Sequence, residues 1–302
     1  MLKILALIGA SITMVLGLEL PKNHIVETSW LEKNQNEKNL VIIDTREKVN
    51  YEKGHIKNAI NYPKNEWNKG TTIEIPKLYN TPKQIEEMAR KAGISKDSVV
   101  VFYSEGKEDT DFENAATALW NMWIYGFKNS VILNGGFEKW SSEKRVVAKE
   151  LPNIKPSDFE IEEFVNDIAS LNDVVNAIYD ENIQIADARV AKFFRGEDDR
   201  KELLRHGRIP TAKLTPMLRH VKKENSYYTF ISQDESKKIL NNSGYGVELD
   251  KPLIVYCNTG QKAKGLWFIA KFNAGMQNVK VYDGSMVEYS RTNFPLETGE
   301  EF

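Results

Sequence analysis

One order of short motifs occurs twice in this chain, the copies roughly 150 residues apart. The apolar run Leu40–Asp44 continues into Thr45-Arg46; Ile183–Asp187 continues into Ala188-Arg189. Gly54-His55-Ile56-Lys57-Asn58-Ala59 answers to Gly207-Arg208-Ile209-Pro210-Thr211-Ala212. A second apolar run follows in each copy, Ser98–Tyr103 or Pro252–Tyr256, then a helical stretch, Asn114–Tyr125 or Ala263–Phe272. Each copy closes on a third run, Ser130–Leu133 or Val279–Tyr282. A turn comes next, Asn134-Gly135-Gly136 or Asp283-Gly284, and then an aromatic, Trp140 or Tyr289. Short β-branched runs alternating with helical segments are the pattern of parallel strands joined by crossover helices. Each copy is therefore expected to be a small parallel β-sheet flanked by helices, an α/β fold made twice. The divisions read as 19–150 for the first domain, 151–170 for a linker with Pro152 and Pro156, and 171–302 for the second domain. Helices are also expected at Lys83–Lys91, behind a Thr81-Pro82 start, and at Leu171–Tyr179.

The chain of 302 residues holds a single cysteine, Cys257. That excludes an internal disulfide and a paired-cysteine zinc site, and four scattered histidines offer no metal cluster. A formal charge of −2 gives no signal for nucleic acid; Lys222-Lys223 and Lys237-Lys238 are isolated pairs. The segment Met1–Leu18 has one lysine and then an uncharged run from Ile4, too short for a span of about 20 residues. It has the form of a secretory signal, with Val15 and Gly17 at the cleavage positions; the alternative is an uncleaved anchor helix. Residues 1–18 are accordingly expected to be removed, leaving an exported, periplasmic protein without a stable membrane anchor. In an oxidising compartment an unpaired thiol is either buried and inert or kept for its reactivity.

The tandem order of strand–Asp-x-Arg, Gly-His/Arg-Ile-x-x-Ala, strand–loop–helix and Asn-Gly-Gly-Phe-x-x-Trp resembles the two-domain rhodaneses, from about Leu40 to Tyr289. The resemblance implies two rhodanese-like domains, the first catalytically silent and the second carrying a reactive cysteine after a strand. It implies a sulfurtransferase acting on a small anionic sulfur donor, thiosulfate or 3-mercaptopyruvate. The acceptor would be cyanide or a thiol, and no metal or organic cofactor is involved. The sequence follows that asymmetry. Cys257-Asn258-Thr259-Gly260-Gln261-Lys262-Ala263 follows the second-half strand, whereas the first half has Ser104 with Glu105, Glu108 and Asp109 nearby. By the same resemblance Asp187 braces the loop, and Arg189 makes a structural ion pair. Arg189 and Arg195 are also candidates to hold a donor's carboxylate.

Physical chemistry gives the loop its purpose. A thiolate is the nucleophile. A loop running from strand to helix start turns main-chain N–H groups of Asn258 to Ala263 toward one point, with the helix dipole behind them. Gly260 allows the positive φ of a tight curl, and Lys262 adds a charge that favours thiolate and anionic donor. The arginine of a Cys-x5-Arg phosphatase loop is absent, since Ala263 stands there. Asn258 and Thr259 depart from the cationic residues of thiosulfate-specific loops and from the Gly-Ser of mercaptopyruvate-type loops alike; Phe193 stands where the resemblance places one arginine for a mercaptopyruvate carboxylate, and the reading leans to thiosulfate or a related sulfane-sulfur donor. Arg208 either faces the cleft or lies on the surface. His55 reads as a structural histidine, Arg195 to Arg200 as a charged loop, and Trp120, Trp123 and Phe127 as core. Two other functions use the same fold: a non-catalytic carrier of polysulfide sulfur, and an interaction protein with an inert cysteine.

Overall fold

A computed structural model describes residues 18–72, 75, 78–198, 200–242 and 246–300. The signal-like segment up to Gly17, and Asp199 of the charged loop, lie outside these residues. The repeat folds as two parallel sheets. The first has the strand order Ile25–Val26, Ser130–Leu133, Val99–Tyr103, Leu40–Asp44, Ile60–Asn61. The second runs Val279–Val281, Leu253–Tyr256, Gln184–Asp187, Lys213–Leu214. A parallel bridge from Ile168 to Val281 sits where the first sheet has its Ile25–Val26 edge, so the two orders correspond. The central strands Val99–Tyr103 and Leu253–Tyr256 are buried along their whole length, which is why they read as continuous apolar runs and do not alternate.

Helix starts follow their local chemistry. Pro82–Lys91 begins at Thr81, whose hydroxyl accepts from Gln84 N–H while the Gln84 side chain caps in return; Ser170 and Asp173 do the same for Leu171–Ala177. The helices after the two central strands are Phe112–Trp123 and Gln261–Phe268, each starting two residues earlier than the apolar spacing indicates. The second ends in a π-helical turn at Ile269–Asn273. In Phe112–Trp123 every residue except Asn114 is buried, the mark of a helix covered on all sides.

These two helices join the halves. Trp120 and Trp123 share one apolar core with Ala263, Trp267, Phe268 and Phe272. The Trp123 ring stands 5.9 Å from Trp267 and 5.0 Å from Phe272. Gly265 permits the close approach: a Cβ there would lie 2.6 Å from Met217 Sδ and 3.3 Å from the Phe112 ring. Residues 151–167 contain no helix or strand, and they lie back along the first half, with Ser157 N–H on Arg90 O and Val165 N–H on Ile124 O. From this segment Asp167 accepts from the indoles of Trp123 (2.9 Å) and Trp267 (3.3 Å) and pairs with Lys271 at 2.8 Å.

Each half also reaches over the other. The hairpin Val221–Glu224/Tyr227–Phe230 of the second half covers the first: Tyr228 N–H donates to Gly106 O and Phe230 N–H to Asn134 Oδ1 at 3.0 Å. The equivalent stretch of the first half, closed by the Gly70–Leu78 bridge, sends Tyr79 N–H to Asp283 Oδ2 at 2.8 Å. Among the described residues no helix is long and apolar enough to cross a membrane, and no three His, Cys, Asp or Glu side chains are grouped to hold a metal ion.

Candidate active site

Cys257 stands at the carboxyl end of Leu253–Tyr256, unpaired and 2% exposed. Its N–H donates to Ser285 Oγ at 3.1 Å, and its carbonyl and that of Asn258 accept from Met286 and Val287 N–H. Ser285 holds a positive φ of 50°, a conformation a serine adopts at some cost, and its hydroxyl also donates to Tyr282 O. Gly260 follows at φ 83° and starts the helix. The main-chain N–H groups of Asn258, Thr259, Gly260, Gln261, Lys262 and Ala263 have no acceptor among the described residues. A strand end, a left-handed glycine and a helix start thus leave six consecutive donors unengaged beside one sulfur. Such an array suits an anion.

Behind the loop lies a buried brace. Arg189 binds Asp187 through Nε and Nη2, the latter at 2.6 Å, and Nη2 also donates to Gly207 O at 2.7 Å. Its Nη1 donates to Asn258 Oδ1 at 3.1 Å, which places the guanidinium directly behind the loop. Burial works against the Arg189 charge, but Asp187 outweighs it and holds the guanidinium above its ordinary range; Tyr256 and Cys257 act in the same direction. The Tyr256 hydroxyl, buried beside Asp187, is pushed well above the usual tyrosine range.

The first half has the same brace without the same site. Arg46 binds Asp44 and Gly54 O as Arg189 binds Asp187 and Gly207 O. Where Asn258 would be stands Glu105, 3.6 Å from Arg46, so this guanidinium faces a second carboxylate. The loop is longer, residues 104–111 against 257–260, and its own Asp111 carboxylate takes the N–H groups of Lys107 and Glu108. Ser104, the negative charges and the covering hairpin make this loop unsuited to an anion.

Residues 27–143 and 170–292 each match the Rhodanese-like domain. The chain belongs to the rhodanese family. A Saccharopolyspora erythraea protein provisionally named a thiosulfate sulfurtransferase is 31% identical over 286 residues, 92% of this chain and 97% of the relative. The thiosulfate sulfurtransferase of Corynebacterium glutamicum is 27% identical over 91% of both chains. The sulfur carrier protein TtuD of Thermus thermophilus is 28% identical over 92% of this chain and 97% of its own. Among solved structures, the 3-mercaptopyruvate sulfotransferase SseA of Escherichia coli superposes with a TM-score of 0.73 at 27% identity, covering 87% of this chain and 98% of that one. The chain is a rhodanese-type transferase.

The other expected site residues divide into those at the rhodanese loop and those elsewhere. Thr259 and Gln261 are half-buried in it and their side chains make no hydrogen bond among the described residues. Lys262 directs its ammonium across the domain boundary to Glu113, at 3.1 Å, and Lys64 pairs with the other oxygen of the same carboxylate at 3.2 Å. Arg195 pairs with Glu197 and its carbonyl accepts from Gly299 N–H, contacts outside the loop. Arg208 is not on the surface: it is buried, pairs with Glu297 at 3.2 Å and holds the carboxyl-terminal segment through Gly299 O. His55 is structural, stacked on Tyr51 with Nδ1 against Tyr51 O and Nε2 against Glu150 O. Sequence reasoning passed over Ser285, Asp283, Lys264 and Glu113. The available signal was the pairing of Asp283-Gly284-Ser285 with Asn134-Gly135-Gly136, two turns at the same place in each half whose first and third residues differ in chemistry.

Proposed function

We propose that Cys257 carries sulfur as a persulfide, taken from thiosulfate or a related sulfane-sulfur donor and passed to a thiophilic acceptor such as cyanide or a thiol. The Cys257 thiolate attacks the outer sulfur of thiosulfate; the new S–S bond forms as the old one breaks, and sulfite leaves with the electron pair. Cyanide then attacks the outer persulfide sulfur, releasing thiocyanate and the thiolate. Six main-chain N–H groups without protein acceptors, beside the single thiol, carry this reading. They stabilise the thiolate, the persulfide and the anionic donor in turn. No second cysteine exists to quench the persulfide as an internal disulfide.

Arg189 favours thiosulfate over a carboxylate-bearing donor. Four of its five N–H donors are engaged by Asp187, Gly207 and Asn258 inside the fold, and the residue is 1% exposed. It positions the loop and has no free edge for a substrate carboxylate. The name of the Thermus relative, a sulfur carrier protein, favours a second reading in which the loaded persulfide goes to a partner protein stoichiometrically.

Intact-mass measurement after thiosulfate treatment tests the proposal. The expected result is a gain of one sulfur, about 32 Da, lost on adding cyanide and absent in Cys257→Ser; retained loading in that variant overturns it. Turnover, compared with single loading, separates enzyme from carrier. We also propose export with removal of the leader, from the apolar run Ile4–Leu18; a mature amino terminus near Leu18 supports it, and a protein that keeps Met1 after fractionation refutes the cleavage, its membrane fraction indicating the uncleaved anchor and its cytosolic fraction no export.

A further inference from the structure

The catalytic loop rests against a buried ion pair that the sulfur chemistry described so far does not use. Asp283 lies so close to Gly260 that a Cβ on the glycine would stand 2.1 Å from its Oδ1. Lys264, at the fourth position of Gln261–Phe268, is fully buried and places Nζ 2.6 Å from that oxygen. The same ammonium donates to Asn68 at 3.2 Å and stands 4.9 Å from the Trp120 ring, both in the first half. The other Asp283 oxygen receives Tyr79 N–H, also from the first half. Ser285, two residues on, holds Cys257 N–H.

The silent half is an internal control. Its corresponding turn residue is Asn134, which accepts Phe230 N–H as Asp283 accepts Tyr79 N–H. The fourth residue of its helix is Ala115. A neutral amide and a methyl group therefore satisfy the docking of one half on the other, and charges are not needed for it. Burying a charged pair costs desolvation that well-packed neutral groups avoid.

We infer that Lys264 and Asp283 are positioning residues of the sulfur-transfer site: Asp283, held by Tyr79 N–H, packs against Gly260, and Lys264 cancels its charge so that the loop stays receptive to anions. The inference rests on the assignment of Cys257 as sulfur carrier. An unpaired carboxylate against Gly260 would repel thiolate, persulfide and donor alike. One uncompensated charge about 10 Å away, at an effective dielectric near 20, changes anion binding by roughly tenfold.

Because Cys257 is the only thiol, alkylation of the full-length protein reads the local potential directly. The ratio of iodoacetate to iodoacetamide rates cancels thiol exposure and reactivity, and leaves the charge seen by the incoming reagent. Lys264→Met is expected to lower the ratio by roughly three- to tenfold, and Asp283→Asn to raise it by a similar factor. The double variant, which copies the neutral chemistry of the silent half, returns it to within about twofold of the parent. Should Lys264→Met fail to fold, the sign found with Asp283→Asn decides. Equal slowing by both reagents, or shifts of the same sign in the two single variants, would mean a purely structural pair and overturn the inference. A parent protein that alkylates with these charge effects yet takes up no sulfur refutes the persulfide assignment instead.

Discussion

Arg46 and Arg189 are equivalent side chains with unequal work. Both are buried, both grip an aspartate two residues earlier, and both reach a carbonyl near a Gly-His or Gly-Arg step. They differ in what they face next, Glu105 or Asn258. Removing either guanidinium leaves a buried carboxylate unpaired, so Arg46→Met and Arg189→Met should each cost about 3–5 kcal/mol in denaturant unfolding. Sulfur loading per folded molecule should fall only in Arg189→Met, because only that arginine holds the Cys257 loop; equal losses in both variants would contradict the division of labour. The Asp-x-Arg pairs were legible as motifs, and so was the loss of the nucleophile at Ser104. The direction of each side chain was not. The resemblance that made Arg195 a candidate and the charge that made Lys262 one say nothing of the carboxylates they meet, Glu197 and Glu113.

Apolar periodicity carried the elements. Runs such as Val99–Tyr103 and Leu253–Tyr256 are buried on both faces, so hydrophobicity alone marks them, and Thr81 and Ser170 mark helix starts by their own hydrogen bonds. The reading slipped where no side chain caps. Phe112–Trp123 and Gln261–Phe268 begin without a capping side chain, the second at left-handed Gly260, and each starts ahead of its apolar stripe. The contrast between a four-residue loop at 257–260 and the longer 104–111 loop follows from those starts. It matters chemically, because the long loop contains Asp111 and fills its own N–H groups, whereas the short one contains no acid and leaves them open.

The two halves act as one body. Their interface is a shared aromatic core, two reciprocal straps and the Asp167 clamp on Trp123, Trp267 and Lys271. Unfolding is therefore expected to be a single cooperative transition, with tryptophan fluorescence and far-UV circular dichroism coincident in urea. Asp167→Ala, which strips the acceptor from two indoles and the partner from Lys271, should cost about 2–4 kcal/mol. Two separated transitions in the parent protein would show that the halves fold independently and that the core does not couple them.

The amino-acid order alone was enough for the repeat, the α/β class, the family, the position of the single thiol and the serine that stands in its place in the first half. Those follow from patterns local to each copy: burial periodicity, turn chemistry and the residue at one strand end. Tertiary structure decided what surrounds the thiol. Lys264 and Asp283, Lys262 and Glu113, and Tyr79 and Asp283 are pairs made between distant parts of the chain, and most of them across the domain boundary. A charge in a sequence has no partner until packing brings one within about 4 Å, and its partner then sets whether it serves an anion, another side chain or the docking of two domains.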